Sequence, residues 1–134
     1  GHDDQPGKGD RATDANGDFQ ENLRKYISEA RTHGTKPVLV TPVARRIFED
    51  SKILSTLQPY ADAMQKVGLE TQTPVIDLHA ASLSLFDKLG DEGSADLSAA
   101  ASDRTHFSRK GALEMARLVA NAVKTATPEL KPLL

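Results

Sequence analysis

Asp103 and His106 are the residues whose types and spacing best suit chemistry in this chain. They lie in Asp103-Arg104-Thr105-His106-Phe107-Ser108, a polar turn directly ahead of a helical stretch. An aspartate three residues before a histidine in a turn can bring its carboxylate to the imidazole Nδ1–H. That contact fixes the tautomer, leaves Nε2 to accept a proton, and stabilises the imidazolium that results. Such a pair is two thirds of a hydrolytic triad. Spacing alone equally admits a capped turn with a solvated histidine. It supplies no third member, because none of the serines sits in a glycine-rich strand-to-helix turn.

The remaining histidines and charged clusters point less clearly to chemistry. His33 ends a helical stretch and reads as a cation near a helix C-terminus. His79 follows a strand-like run, at the end where open α/β sheets hold ligands, and reads as structural. His2, Asp3 and Asp4 have none of the His-x-x-x-His or His-Glu-x-x-His spacings of a metal site, so no metal or cofactor is expected. Gly7 and Gly9 lack the Gly-Lys-Ser/Thr and the helix start of a phosphate loop. Arg45 and Arg46 follow a strand-like run and are candidates to contact an anionic ligand, or else a solvated pair.

The elements that must position these residues follow from periodicity. Residues 1–18 are polar and glycine-rich and read as an irregular loop. Phe19, Leu23, Tyr26, Ile27 and Ala30 recur at helical spacing, predicting a helix over 19–33 with Asp18 as N-cap and Gly34 as its stop. Residues 36–43 form an apolar, β-branched run that suits a strand buried on both faces. Residues 44–52 read as a polar connection. A second helix is expected over 53–70, begun or broken by Pro59, with Leu57, Tyr60, Ala61, Met64 and Val67 on one face. Residues 74–78 form a second buried strand. A short helix over 80–89 ends at Gly90, and 91–107 reads as a loop. The last helix spans 109–126, with Ser108 as N-cap and Ala112, Met115, Ala116, Val119, Ala120 and Val123 inward. Strands alternating with helices predict an α/β fold with a parallel sheet. Two such strands do not make a sheet that stands alone, so more sheet is expected than these residues supply.

Composition bounds the answer. The chain has 134 residues, 38% hydrophobic and 4% aromatic, so a single core would rest on Leu, Val, Ile and Ala. With 17 basic and 19 acidic side chains and a net charge of −2, there is no electrostatic case for nucleic-acid binding. The absence of cysteine removes disulfides, thiolate metal sites and cysteine nucleophiles. No apolar run approaches the roughly 20 residues of a membrane span.

Gly1-His2-Asp3-Asp4-Gln5 together with Asp103-Arg104-Thr105-His106-Phe107-Ser108 resembles the SGNH (GDSL-type) hydrolases, in their rhamnogalacturonan acetylesterase-like branch. The runs KPVLVTPVARR and PVIDLHA resemble its fourth and fifth strands. The resemblance implies a flavodoxin-like three-layer α/β/α parallel sheet. Residues 1–134 would be the C-terminal portion of one such domain, with the N-terminal strands, including the nucleophile strand, absent. It also implies Ser-His-Asp hydrolysis of esters on an acylated carbohydrate, without a cofactor, in a secreted or periplasmic protein. His106 matches the general base and Asp103 its orienting carboxylate, while Arg45 or Arg46 would meet an acidic sugar. Two departures follow. No Gly-Asp-Ser occurs in the chain, and Asp3 stands at the oxyanion-hole position where the family has Asn. An ionised Asp accepts hydrogen bonds and donates none. The alternative expectation is a non-catalytic α/β domain that lacks the nucleophile and binds a carbohydrate or a partner.

Overall fold

Prolines and glycines set most of the element boundaries. The computed structural model describes residues 1–133. It contains four α-helices, α1 (Asp18–Thr32), α2 (Gln58–Thr71), α3 (Leu78–Gly93) and α4 (Arg109–Ala126). Four short strands accompany them, β1 (Leu39–Val40), β2 (Phe48–Glu49), β3 (Lys52–Ile53) and β4 (Val75–Ile76). The chain divides into two compact units, one of Gly1–Pro42 with Leu57–Asp77 and one of Val43–Thr56 with Leu78–Leu134.

In the first unit β1 and β4 pair in parallel, with Leu39 opposite Val75 and Val40 opposite Ile76. The expected run over 36–43 is strand only at its centre, since Pro37 and Pro42 have no N–H to give a ladder. The face expected of α2 is buried in full, with Leu57, Tyr60, Ala61, Met64 and Val67 all below a tenth exposed. It packs with Phe19 and Ile27 of α1 and with Leu39. Pro59 lies in the first turn of α2, where its missing N–H is not needed. Two expectations for α1 change. Asp18 is its first residue rather than its cap, and the Asp18 carboxylate accepts from the Asp14 N–H at 2.6 Å. Tyr26 is 71% exposed, so the apolar stripe is narrower than its periodicity suggested.

The second unit holds Phe86 and Leu97 at its centre, with Ala44 and Met115 buried beside them. Here the polar connection of 44–52 forms an antiparallel hairpin, Phe48 facing Ile53 and Glu49 facing Lys52. Its turn residues Asp50 and Ser51 both have positive φ, 48° and 64°, the twist that two-residue hairpins require. Asp-Ser is not the Asn-Gly or Asp-Gly signature, so the hairpin left little trace in the sequence. Helix α3 begins earlier than expected and runs past Gly90, which breaks it at φ 70° and ψ 177°. The segment 91–107 carries a 3-10 turn, Ala95–Leu97, and a bridge from Ser98 to Phe107.

Helix α4 has the expected bounds, and Ser108 caps it by accepting from the Gly111 N–H at 3.1 Å. Its inward face is Gly111 and Met115 with Leu118, whereas Ala112 and Ala116 are exposed. Gly111 is where the helix meets the Leu97 carbonyl and the Phe107 ring, with no room for a side chain. Gly111→Ala is therefore expected to lower stability by about 1–3 kcal/mol through overpacking, read as a reduced urea midpoint. An unchanged midpoint would contradict this packing.

Candidate active site

The turn of Asp103–His106 is built by one carboxylate. Asp103 Oδ1 accepts from the backbone N–H groups of Thr105 and His106, each at 2.8 Å. Its Oδ2 lies 2.9 Å from His106 Nδ1. Aspartate suits this place because its short side chain reaches the N–H groups two and three residues on. These donors, the two backbone amides first and the imidazole next, hold the Asp103 carboxyl down at about 2. The ring of His106 is 76% exposed, so its Nε2, on the far side from Asp103, is open to a reactant. The turn thus brings together the two residues that sequence spacing paired.

The flanks of the turn are tied to the second unit. The Ala99 N–H donates to the His106 carbonyl at 3.0 Å, and the Arg46 N–H donates to the Arg104 carbonyl at 2.9 Å. Arg45 Nε donates to Thr105 Oγ1 at 3.1 Å, which places Arg45 beside the turn. Arg46 departs from the sequence expectation. It is 4% exposed, and its guanidinium is given to Ser98 Oγ at 2.8 Å, to the Asp91 carbonyl at 2.7 Å and to the Asp91 carboxylate. A guanidinium so engaged is a structural element and has little left for a ligand, so only Arg45 of the pair faces the turn as a candidate contact. Asp91 Oδ1 also accepts from Arg104 Nη1. That bond and the two arginine charges hold the Asp91 carboxyl below the usual carboxylate range.

Asp3 belongs to the first unit. Its carboxylate is more than half exposed and lies 3.2 Å from Arg11 Nη1. The loop that carries it is held from α2, because the Tyr60 hydroxyl, able to donate one bond, lies 2.7 Å from the Asp4 carbonyl and 2.9 Å from that of Thr13. Thr13 Oγ1 donates to Asp4 Oδ1 at 2.7 Å. His79 is buried, with Nε2 2.8 Å from Ser55 Oγ. Among the described residues no three acidic or histidine side chains are grouped to hold a metal ion. No helix among them is long and apolar enough to cross a membrane.

Over 92% of its length the chain is 38% identical to the probable rhamnogalacturonan acetylesterase YesY of Bacillus subtilis (strain 168). Over 98% of its length it is 38% identical to the rhamnogalacturonan acetylesterase RhgT of the same strain. The chain is similar to the rhamnogalacturonan acetylesterase-like branch of the SGNH hydrolases. It spans 59% and 61% of the lengths of those two relatives. No protein-family model matches it. Among solved structures, the Bacillus subtilis protein YxiM superposes with a TM-score of 0.70 at 27% identity, over 79% of this chain and 30% of that one. Axe2, an acetylxylan esterase from Geobacillus stearothermophilus, superposes with a TM-score of 0.66 at 22% identity, over 90% of this chain and 52% of that one. These likenesses agree with the expected α/β fold with parallel strands, of which the described residues match a part.

Two contributors around the turn, Asp91 and Arg104, were missed in the sequence, as was the hold of the Tyr60 hydroxyl on the loop of the first unit. Asp91 directly after Gly90 was a usable signal, because a glycine that breaks a helix redirects the next side chain. Tyr60 was expected only as core. One consequence of the turn is measurable. With Asp103 held at about 2, its bonds to the turn persist from neutral pH down past the usual aspartate range and are released only as pH falls through about 2. A carboxyl-carbon NMR titration should place the Asp103 midpoint near that value. A midpoint near 4 would mean the amide bonds are not formed.

Proposed function

We propose that this chain carries the acid–base half of a serine esterase that removes acetyl groups from a carbohydrate, a pectic rhamnogalacturonan or a related polysaccharide. The observation that carries the reading is the Asp103 Oδ2 to His106 Nδ1 contact of 2.9 Å in a turn that leaves the opposite ring edge exposed. The likeness to rhamnogalacturonan acetylesterases supplies the substrate class. The serine is not in a Gly-Asp-Ser motif of these 134 residues, so the reading assigns it to a segment outside them.

In this reading the serine Oγ attacks the acetyl carbonyl while His106 Nε2 takes its proton. The imidazolium, steadied by the Asp103 carboxylate, returns that proton to the departing sugar hydroxyl. Water then attacks the acyl-serine, with His106 again accepting a proton, and acetate leaves. Asp103 stays ionised throughout, which its lowered pKa of about 2 permits across the working range of a histidine base. In this reading Arg45, which lies beside Thr105, is the residue that would meet an acidic sugar of the polymer.

Asp3 occupies the position of the family's oxyanion asparagine. Its exposed carboxylate, facing Arg11, accepts rather than donates and opposes the charge that develops on the carbonyl oxygen. This residue and the absence of a nucleophile motif favour the second reading, a carbohydrate-binding domain without turnover. The two separate by experiment. In the protein bearing the nucleophile segment, acetate release should fall by about 10⁴-fold or more in His106→Ala. Asp3→Asn should raise it by about 10²–10³-fold, the usual worth of one oxyanion donor. Saturable oligosaccharide binding with no acetate released by the unaltered protein would favour the second reading instead.

A further inference from the structure

Asp103 closes the Asp103–His106 turn from within, but a four-residue turn closed by one carboxylate opens readily in water unless it is also anchored from outside. The His106 ring is exposed, and the residues of the turn are all polar, so the turn needs anchors outside itself. Backbone bonds hold its two ends at Ala99 and Ala100, the latter through the Asp103 N–H at 3.0 Å. Its middle is held differently. Arg104 follows Asp103 directly, its carbonyl is taken by the Arg46 N–H, and its guanidinium reaches the Asp91 carboxylate. The same oxygen of Asp91 is held by Arg46, which is buried and further bonded to Ser98. Asp91 stands there because Gly90, at φ 70°, breaks α3 one residue earlier. Few residues but glycine adopt that conformation without strain.

We propose that Asp91 is a positioning residue, which clamps Arg104 to the buried Arg46 and so sets where the Asp103–His106 pair is presented. The proposal rests on the esterase reading only for its effect on turnover. The clamp itself is a property of the turn and is tested without any reaction.

Two variants separate positioning from charge. Arg104→Gln removes the cation next to Asp103 in sequence, and Asp91→Asn removes an anion. By charge alone they would move the Asp103 carboxyl in opposite directions, up for the first and down for the second. If the clamp sets the turn, both loosen the amide donors of Thr105 and His106, and both raise the Asp103 NMR midpoint from about 2 toward the ordinary value of about 4. Arg104→Lys, which keeps a charge within reach of Asp91, should restore most of the shift. Arg104→Gln leaves the pair of Asp91 with the buried Arg46 in place, so it is read even where Asp91→Asn does not fold.

A midpoint that stays near 2 in Arg104→Gln, or one that falls or stays in a folded Asp91→Asn, overturns the proposal. In the protein with its nucleophile segment, kcat in Arg104→Gln should fall by up to about 100-fold with KM little changed, as for a misplaced catalytic group. If both variants raise the midpoint while the unaltered protein releases no acetate, the clamp stands and the esterase reading fails.

Discussion

A guanidinium buried to 4% exposure must be paired, and the way Arg46 is paired organises the second unit. Its partners come from the chain after the break in α3: Asp91 by carbonyl and carboxylate, and Ser98 by its hydroxyl. Each partner demands something of the sequence. Asp91 requires the break at Gly90. Ser98 requires the chain to return after the 3-10 turn, where it bridges to Phe107. Because the peptide N–H of Arg46 also holds the Arg104 carbonyl, one residue serves the interior and the exposed turn together. Removing it would leave several polar groups unpaired at once, at a cost of order 1–3 kcal/mol for each buried group.

The elements were legible where they rest on local chemistry. Helix α4 has a serine cap and a regular apolar stripe, and its bounds agree with the expectation. The face of α2 agrees because a continuous row from Leu57 to Val67 can only be buried. Elements that rest on long-range pairing were harder. The β2–β3 hairpin has charged Glu49 and Lys52 in a two-residue ladder, and its turn uses Asp50 and Ser51 in place of glycine. The inward face of α4 was misplaced for a related reason. Gly111 is buried because a carbonyl from another segment closes on it, which no periodicity of apolar residues can signal.

The candidate site divides along the same line. Asp103 and His106 were paired by spacing because the contact spans three residues of one turn. Arg45 and Arg46 are adjacent in sequence and have opposite fates, since one backbone step rotates one side chain inward to Asp91 and the other outward to Thr105. Sequence alone offers no test for which of two neighbouring arginines a carboxylate forty-five residues on will take.

Asparagine in place of Asp3 would change chemistry rather than shape. Aspartate and asparagine have nearly the same outline, differing in an oxygen for an amide nitrogen. The loop around Asp3 is held mainly by the Tyr60 hydroxyl on the carbonyls of Asp4 and Thr13 and by Thr13 Oγ1 on the Asp4 carboxylate, to which the Asp3 side chain adds an exposed ion pair with Arg11. The ring of Tyr60 is itself set edge-on against Phe19, centroids 5.1 Å apart, in the core of the first unit. The backbone at position 3 is therefore held mainly by groups that either residue leaves in place. What depends on it is donor chemistry, since an amide N–H₂ donates a hydrogen bond and a carboxylate only accepts one. Loop placement and donor chemistry are thus largely separable at position 3.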